Sequence, residues 1–205
     1  AEIEYTDDWE KDSERRDFTI NAIYLDINGK IFDPQLGIQD LKNRSIKFIG
    51  DPQKRIEEDY LRIIRFIRFS IQYASKIEPT TIKAIKLNLD GIKKISKERI
   101  LSELLKIISI KNFLKLNQNQ NLKEIFLLIF PEFKNLERLI RLETLFDNLN
   151  FSKEMVLAIL LVDQNNSQEY FLHKYNVSNE MKDSLNLMAK NFNNPDFNKK
   201  FFQKD

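Results

Sequence analysis

The most constraining stretch of the chain is Arg55-Ile-Glu-Glu-Asp-Tyr-Leu-Arg-Ile-Ile-Arg-Phe-Ile-Arg-Phe69. It holds neither glycine nor proline, so the pattern predicts one helix turning at about 3.6 residues per turn. Leu61, Ile63, Ile64, Phe66, Ile67 and Phe69 spread around most of its circumference, which predicts packing on several sides. Threaded among them, at every third position, run Asp59, Arg62, Arg65 and Arg68. Each step of three residues falls about 60° short of a full circle, so neighbours in the row touch while the row winds slowly round the helix. Guanidinium groups on a nearly buried helix are costly unless an anion or a hydrogen-bond acceptor meets them. The row reads as the wall of a cleft.

Arginine's planar fork suits phosphate oxygens and base edges. Asp59 and Arg62, one turn apart, set an acceptor beside a donor. Cytosine and adenine both present an exocyclic amine next to an unprotonated ring nitrogen, which such a pair can bond. Guanine and uracil present a carbonyl next to a ring N–H, so acceptor would face carboxylate and donor would face guanidinium. A carboxylate–arginine pair can therefore choose C and A over G and U without a nucleic-acid template. The spacing admits a plainer reading as well: a Glu58–Arg62 ion pair, acid first at i,i+4, worth roughly a few tenths of a kcal/mol.

Charge and composition narrow the function classes. Charged residues make up 31% of the 205 residues but nearly balance at a net +2, so any nucleic-acid contact must come from a local patch. Lys93, Lys94, Lys97 and Arg99 form one, with Lys93, Lys94 and Lys97 as candidate RNA-phosphate contacts and solvated lysines as the alternative. The chain has no cysteine, which excludes disulfides, thiolate nucleophiles and cysteine metal sites and suits a reducing cytoplasm. No apolar run reaches membrane-spanning length, and no signal peptide opens the sequence. His173, the one histidine, lies beside Tyr170 and Phe171 without an evident partner and reads as a packing or surface residue.

Four glycines and five prolines indicate a helix-rich chain, and a hydrophobic content of 42% supports one or two domains with cores. Residues 18–27 are rich in β-branched and aromatic types and predict a strand. Asn28-Gly29 predicts a hairpin turn, residues 30–32 a return strand, and residues 45–49 a further strand. Asp51 and Pro52 predict an N-cap and first position for the central helix. Beyond residue 70 only helices are expected. One is capped by Thr80 or Thr81 and closed at Asp90-Gly91; another runs over 96–108 with Ser96 as N-cap. After a polar loop at 117–121, others lie around 122–130, 134–148, 152–162, 167–175 and 178–191, with a frayed tail from Asn193. Phe126, Phe130 and Phe133 read as core, on one helical face only if the helix survives Pro131.

Residues 14–22 read Glu-Arg-Arg-Asp-Phe-Thr-Ile-Asn-Ala, with Arg16, Asp17 and Asn21 an unusual polar set on a half-buried element. Alone they would pass for a strand-edge charge cluster. Four further segments follow in order: Asp33-Pro34 with Gly37-Ile-Gln-Asp40-Leu41, Gly50-Asp51-Pro52, the string from Glu58 to Phe69, and Ser96-Lys-Glu-Arg-Ile100. In that order and spacing, over roughly the first half, the chain resembles class II tRNA nucleotidyltransferases (CCA-adding enzymes) and their bacterial poly(A) polymerase relatives. The resemblance implies a mainly α chain. Residues 1–50 would be the C-terminal, β-hairpin part of a polymerase-β-like nucleotidyltransferase head, 51–116 a helical neck carrying a nucleotide-selecting template helix, and 117–205 an all-helical body. It implies that Arg16 contacts a nucleoside triphosphate, that Asp17 and Asn21 shape the sugar side, and that Asp59 and Arg62 pair with the incoming C or A. Arg65 and Arg68 would continue the nucleotide-binding face. Asp33, Gly37 and Asp40 would belong to a hinge that lets one pocket accept C and then A, and Ser96, Glu98 and Arg99 to a helix start that braces the template helix.

The implied activity is template-independent addition of C, A or both from CTP and ATP to the 3′ end of tRNA, with Mg²⁺. Poly(A) polymerase and a non-catalytic RNA- or nucleotide-binding subunit or remnant are the alternatives. One departure stands out. In the family the metal-binding carboxylates lie upstream, as an Asp-x-Asp pair after a glycine-rich turn, and this sequence contains no such segment. Asp7-Asp8 is no substitute, because adjacent side chains on a strand point to opposite faces. The expectation is therefore that no catalytic or metal-binding residue lies in this chain. Upstream residues or a partner chain would supply the Mg²⁺ ligands, and the chain alone would bind ATP or CTP weakly without catalysing.

Overall fold

The computed structural model describes residues 8–145 and 152–191, and the chain divides into two compact units, Ala1–Ile95 and Ser96–Asp205. The first described element of the first unit is α1, Trp9–Glu14, whose N-cap Asp8 accepts from the amides of Glu10 and Lys11 at 3.0 and 3.2 Å. A 3₁₀ turn, Thr19–Asn21, leads to the antiparallel pair β1, Tyr24–Leu25, and β2, Ile31–Phe32, in the register Tyr24 to Phe32 and Leu25 to Ile31. Gly29 takes φ +81° at the predicted hairpin turn, and Asp26 ties the loop by accepting from the amides of Asn28 and Lys30. Helices α2, Gly37–Lys42, α3, Pro52–Glu58, α4, Leu61–Gln72, and α5, Pro79–Asn88, follow, and a 3₁₀ segment, Leu89–Lys94, ends the unit.

Three expectations fail here for local reasons. The strand predicted over residues 18–27 shrinks to β1, because Asn21 and Ala22 donate back to the carbonyls of Phe18 and Thr19 and close a tight turn. Residues 45–49 contribute only isolated bridges, Phe18 with Phe48 and Ser45 with Lys76. The single helix expected over 55–69 is two helices that break at Asp59, which is extended at φ −155° and ψ 104°. Its Oδ1 accepts from the Leu61 amide at 3.1 Å and its carbonyl from the Arg62 amide at 3.0 Å, so Asp59 begins α4. A short polar side chain that bonds its own backbone competes with helix continuation, and that competition wins here.

The core of this unit forms around α4. Leu61, Ile63, Ile64, Phe66, Ile67 and Phe69 are all buried, as the spread of apolar positions predicted. Phe18, fully buried, meets the rings of Phe48, Phe69 and Phe66 at 4.7, 5.5 and 6.2 Å, and Phe48 stacks on Phe66 at 5.8 Å. The Tyr60 ring packs against Gly91, where a Cβ would collide with it. Asp51 caps α3 through the Lys54 amide at 2.9 Å with Pro52 at its first position, as predicted. Helix α5 differs. Glu78 precedes Pro79 at its start and no side chain caps it, so neither Thr80 nor Thr81 plays the expected part.

The regular elements among the second unit's described residues are all helices: α6, Lys97–Ile108, a 3₁₀ segment, Lys111–Gln118, then α7, Gln120–Ile129, α8, Arg138–Leu145, α9, Lys153–Leu161, α10, Ser167–Lys174, and α11, Asn179–Lys190. Ser96, Asn119, Ser152 and Ser178 cap α6, α7, α9 and α11. The polar loop expected at 117–121 is thereby reduced to Asn119, the cap itself. Helix α8 starts at Arg138 rather than 134, and its predicted end at 148 lies outside the described residues, as does the tail from Asn193. Helix α7 stops before Pro131, yet Phe126, Phe130 and Phe133 still meet, with centroids 5.0 to 6.1 Å apart and no exposure. His173 is exposed. No helix among the described residues is long and apolar enough to cross a membrane.

Candidate nucleotide-binding site

Asp17 closes the turn that follows α1 and is 8% exposed. Its Oδ1 accepts from the Phe18 amide at 3.0 Å and from Asn21 Nδ2 at 2.8 Å. Its Oδ2 accepts from Arg65 Nε at 2.5 Å, so a residue of the turn is joined to one of α4. Burial pushes the Asp17 carboxyl up, but the hydrogen bonds from Arg65 and Asn21 and the Arg65 charge outweigh it and hold the group below its ordinary range. The Arg65 and Arg68 guanidinium carbons stand 5.6 and 4.1 Å from the centre of the Phe69 ring.

Arg62 is half-turned back on α3. Its Nη1 donates to the Arg55 carbonyl at 2.8 Å and to Glu58 Oε2 at 2.5 Å, and Arg55 Nη1 donates to the same carboxylate oxygen at 3.0 Å. The Glu58–Arg62 ion pair read from the i,i+4 spacing is thus present. Burial raises the Glu58 carboxyl, yet the hydrogen bonds from Arg62 and Arg55 leave it below the usual carboxylate range. Asp59 stands next to this clamp at the break, so its carboxylate follows the backbone and not a helical row.

Arg16 turns toward Asp12, a residue the sequence reading overlooked. Asp12 is 7% exposed and accepts from Arg16 Nη2 at 2.7 Å, Arg15 Nε at 2.6 Å and the Tyr24 hydroxyl at 2.8 Å. Hydrogen bonds from Arg16, Tyr24 and Arg15 lower its carboxyl to about 2. The i,i+3 and i,i+4 spacings of Asp12 to Arg15 and Arg16 carried that signal.

The remaining polar residues order the second segment. Asp33 caps the start of α2, accepting from the Gly37 and Ile38 amides at 2.7 and 2.9 Å, with Leu36 at φ +58° between them. Gly37 passes so close to the Thr19 carbonyl that a Cβ would strike it. Asp40, 5% exposed, accepts from the Thr19 hydroxyl and Lys47 Nζ, both at 2.8 Å. The 3₁₀ turn and α2 are held together through these contacts. Ser96 accepts from the Arg99 amide at 3.4 Å, and Ser96, Lys97, Glu98 and Arg99 are all exposed at the start of α6. Lys93 pairs with Asp90 at 2.6 Å, and Lys94 stands 5.3 Å from the Tyr60 ring centre. Among the described residues no group of three His, Asp or Glu side chains is arranged to hold a metal ion. The described residues do not fit Mg²⁺.

A family model for the "Poly A polymerase head domain" matches residues 1–47, and one for the "Probable RNA and SrmB- binding site of polymerase A" matches residues 76–136. The chain is 48% identical over 111 residues to the mitochondrial CCA tRNA nucleotidyltransferase 1 of Danio rerio, covering 53% of this chain and 26% of that protein. It is 34% identical over 188 residues to the CCA-adding enzyme of Staphylococcus epidermidis, covering 90% of this chain and 44% of that one. The crystal structure of the Bacillus stearothermophilus CCA-adding enzyme in complex with CTP superposes with a TM-score of 0.67 at 25% identity, over 91% of this chain and 47% of that one. The chain spans less than half the length of these relatives. Its mainly helical fold with a small two-stranded sheet is that of these enzymes. The chain belongs to the family of tRNA nucleotidyltransferases and poly(A) polymerases.

Proposed function

We propose that this chain is the nucleotide-selecting part of a tRNA nucleotidyltransferase that adds C, A or both from CTP and ATP to the 3′ end of tRNA. The observation that supports it most is the Asp17–Arg65 pair. It joins segments 48 residues apart and brings the Asp17–Asn21 turn next to Arg65 of α4. In this reading Asp59 and Arg62 meet the base edge, Arg62 being oriented by Glu58 and the Arg55 carbonyl. Arg16, Asn21, Arg65 and Arg68 line the sugar and phosphate side, where fixed guanidinium forks suit phosphate oxygens. Asp33, Gly37 and Asp40 seat α2 against the turn, so a shift of α2 would reshape the pocket. Ser96, Glu98 and Arg99 brace the start of α6, and Lys93, Lys94 and Lys97 meet RNA phosphates. No described residue is assigned a catalytic or metal-binding role, and selection of the nucleotide is this chain's part in the reaction. The names of the relatives, together with solved CCA-adding enzymes bound to CTP, to ATP and to tRNA, support these substrates.

Photo-crosslinking with azido derivatives of ATP and CTP, followed by peptide mapping, tests the site. Adducts on peptides holding residues 16–21 and 59–68 are expected; adducts confined to the second unit would refute it. Poly(A) polymerase is the second reading, favoured by the two poly(A) polymerase family models that match the chain. It predicts labelling by the ATP derivative and none by the CTP derivative.

A further inference from the structure

We propose that a cavity at the start of α5 is a phosphate-binding site, fitted to a phosphodiester of an RNA backbone. It shares no residue with the nucleotide pocket, and only the choice of RNA as the carrier rests on the reading above. The cavity, about 460 Å³, lies between α5 and the segment that leads into α3. Thr80, Lys83 and Leu87 line it from one face of α5, at the i, i+3 and i+7 spacing.

The start of α5 leaves donors without acceptors. Pro79, at its first position, has no N–H, and the Ile82 amide is the first to bond back, to the Glu78 carbonyl at 3.2 Å. Between them, the Thr80 and Thr81 amides have no partner among the described residues, since no side chain caps this helix. Such a helix start draws an anion through its N–H groups and its dipole. Thr81 supplies an independent sign of a ligand. It is 5% exposed and lines the cavity, yet its hydroxyl has no hydrogen-bond partner among the described residues. The Ser70 and Ser75 hydroxyls are also unbonded but sealed in the core, whereas that of Thr81 opens onto space a ligand can enter.

The charges around the cavity choose among anions. Lys83 is exposed and has no acid paired with it among the described residues. Lys47 is held by Asp40 at 2.8 Å, and Asp51 is committed to the Lys54 amide at 2.9 Å. Glu78 lines the cavity too. The Lys47 ammonium is raised by the hydrogen bond and charge of Asp40, and the Glu78 charge adds to that, so the acid is felt inside the site. Glu78 opposes any anion that enters. A terminal or free phosphate carries more than one charge near neutral pH and a backbone phosphodiester only one, so the diester is opposed least. A polynucleotide also brings neighbouring contacts that hold its phosphate in place.

The test uses the 205-residue chain and a short single-stranded RNA, with inorganic phosphate as a second probe at constant ionic strength. In NMR spectra the Thr80 and Thr81 amide signals should move on adding RNA, and inorganic phosphate should move them only at far higher concentration. Thr81→Val removes the hydroxyl from a side chain of nearly the same shape and should weaken RNA binding about three- to tenfold. Lys83→Gln should weaken it as well and lower the slope of log affinity against log salt by about 0.7. Glu78→Gln should tighten it about two- to fivefold, a gain that unfolding cannot mimic. Should Thr81→Val fail to fold, the two substitutions at exposed positions decide the matter. RNA affinity that the variants leave unchanged, or amide signals that RNA does not move, would overturn the proposal. Signals moved by inorganic phosphate and not by RNA would make the carrier a free phosphate and overturn the assignment to RNA. A wild-type chain that binds no RNA refutes the RNA reading itself, an outcome distinct from RNA binding that the variants leave unchanged.

Discussion

Asp59 does two jobs that substitution can separate. Its Oδ1 accepts the first amide of α4, from Leu61 at 3.1 Å, and its carboxylate is the proposed base-reading acceptor. Asp59→Ala removes both. Losing a side-chain cap of this kind costs about 1 kcal/mol of stability. Asp59→Asn keeps the capping oxygen, since Asn and Asp cap almost equally well, so its stability should fall by no more than about 0.5 kcal/mol. On the base edge, however, Asn offers one acceptor and adds a donor, so the charge-assisted bond from an exocyclic amine is weakened. Such a bond is worth roughly 1.5–3 kcal/mol, or about ten- to a hundredfold in the preference for CTP and ATP over UTP and GTP. The assay pairs urea unfolding with titration of the four nucleoside triphosphates. The reasoning predicts that Asp59→Asn loses base preference at near-native stability, while Asp59→Ala loses both. If Asp59→Asn keeps its base preference, or unfolds as readily as Asp59→Ala, the argument for a base-reading carboxylate fails.

Three further predictions follow from the same contacts. Asp12 is lowered from 3.8 to about 2 in the folded chain, so its stabilisation is complete above pH 3.8 and lost as pH falls toward 2; Asp12→Asn should flatten unfolding free energy across that window. Phe18→Ala empties the centre of the Phe48, Phe66 and Phe69 cluster and should cost about 3–5 kcal/mol in urea unfolding, an effect within about 1 kcal/mol of zero being incompatible with this core. Replacing Lys93, Lys94 and Lys97 together by Glu should weaken tRNA binding and flatten its dependence on salt; unchanged affinity and slope would remove these lysines from the RNA interface.

How much of this was legible beforehand depended on range. The apolar positions of 61–69, the Asn28-Gly29 turn and the caps at Asp51 and Ser96 came out as read, since each is set by a few neighbouring residues. The break at Asp59 did not, because an acid inside a helical pattern looks like a helix residue until its own backbone bond is seen. Residues 18–21 carried strand-like composition, yet Phe18 is drawn into the core by rings from residues 48, 66 and 69, which no local window contains. In the site, the Glu58–Arg62 pair was visible as spacing. The Asp17–Arg65 link was not, spanning 48 residues with nothing in either segment to name its partner. Asp12 shows in the sequence only as an acid three and four residues before Arg15 and Arg16, a spacing that surface ion pairs share.

The most direct test of the central claim is isothermal titration of the 205-residue chain with CTP, ATP, GTP and UTP in turn. The account predicts that CTP and ATP bind and that GTP and UTP bind more weakly, with the preference abolished in Arg62→Ala at a retained fold. Equal binding of all four, or a preference for GTP or UTP, would contradict it.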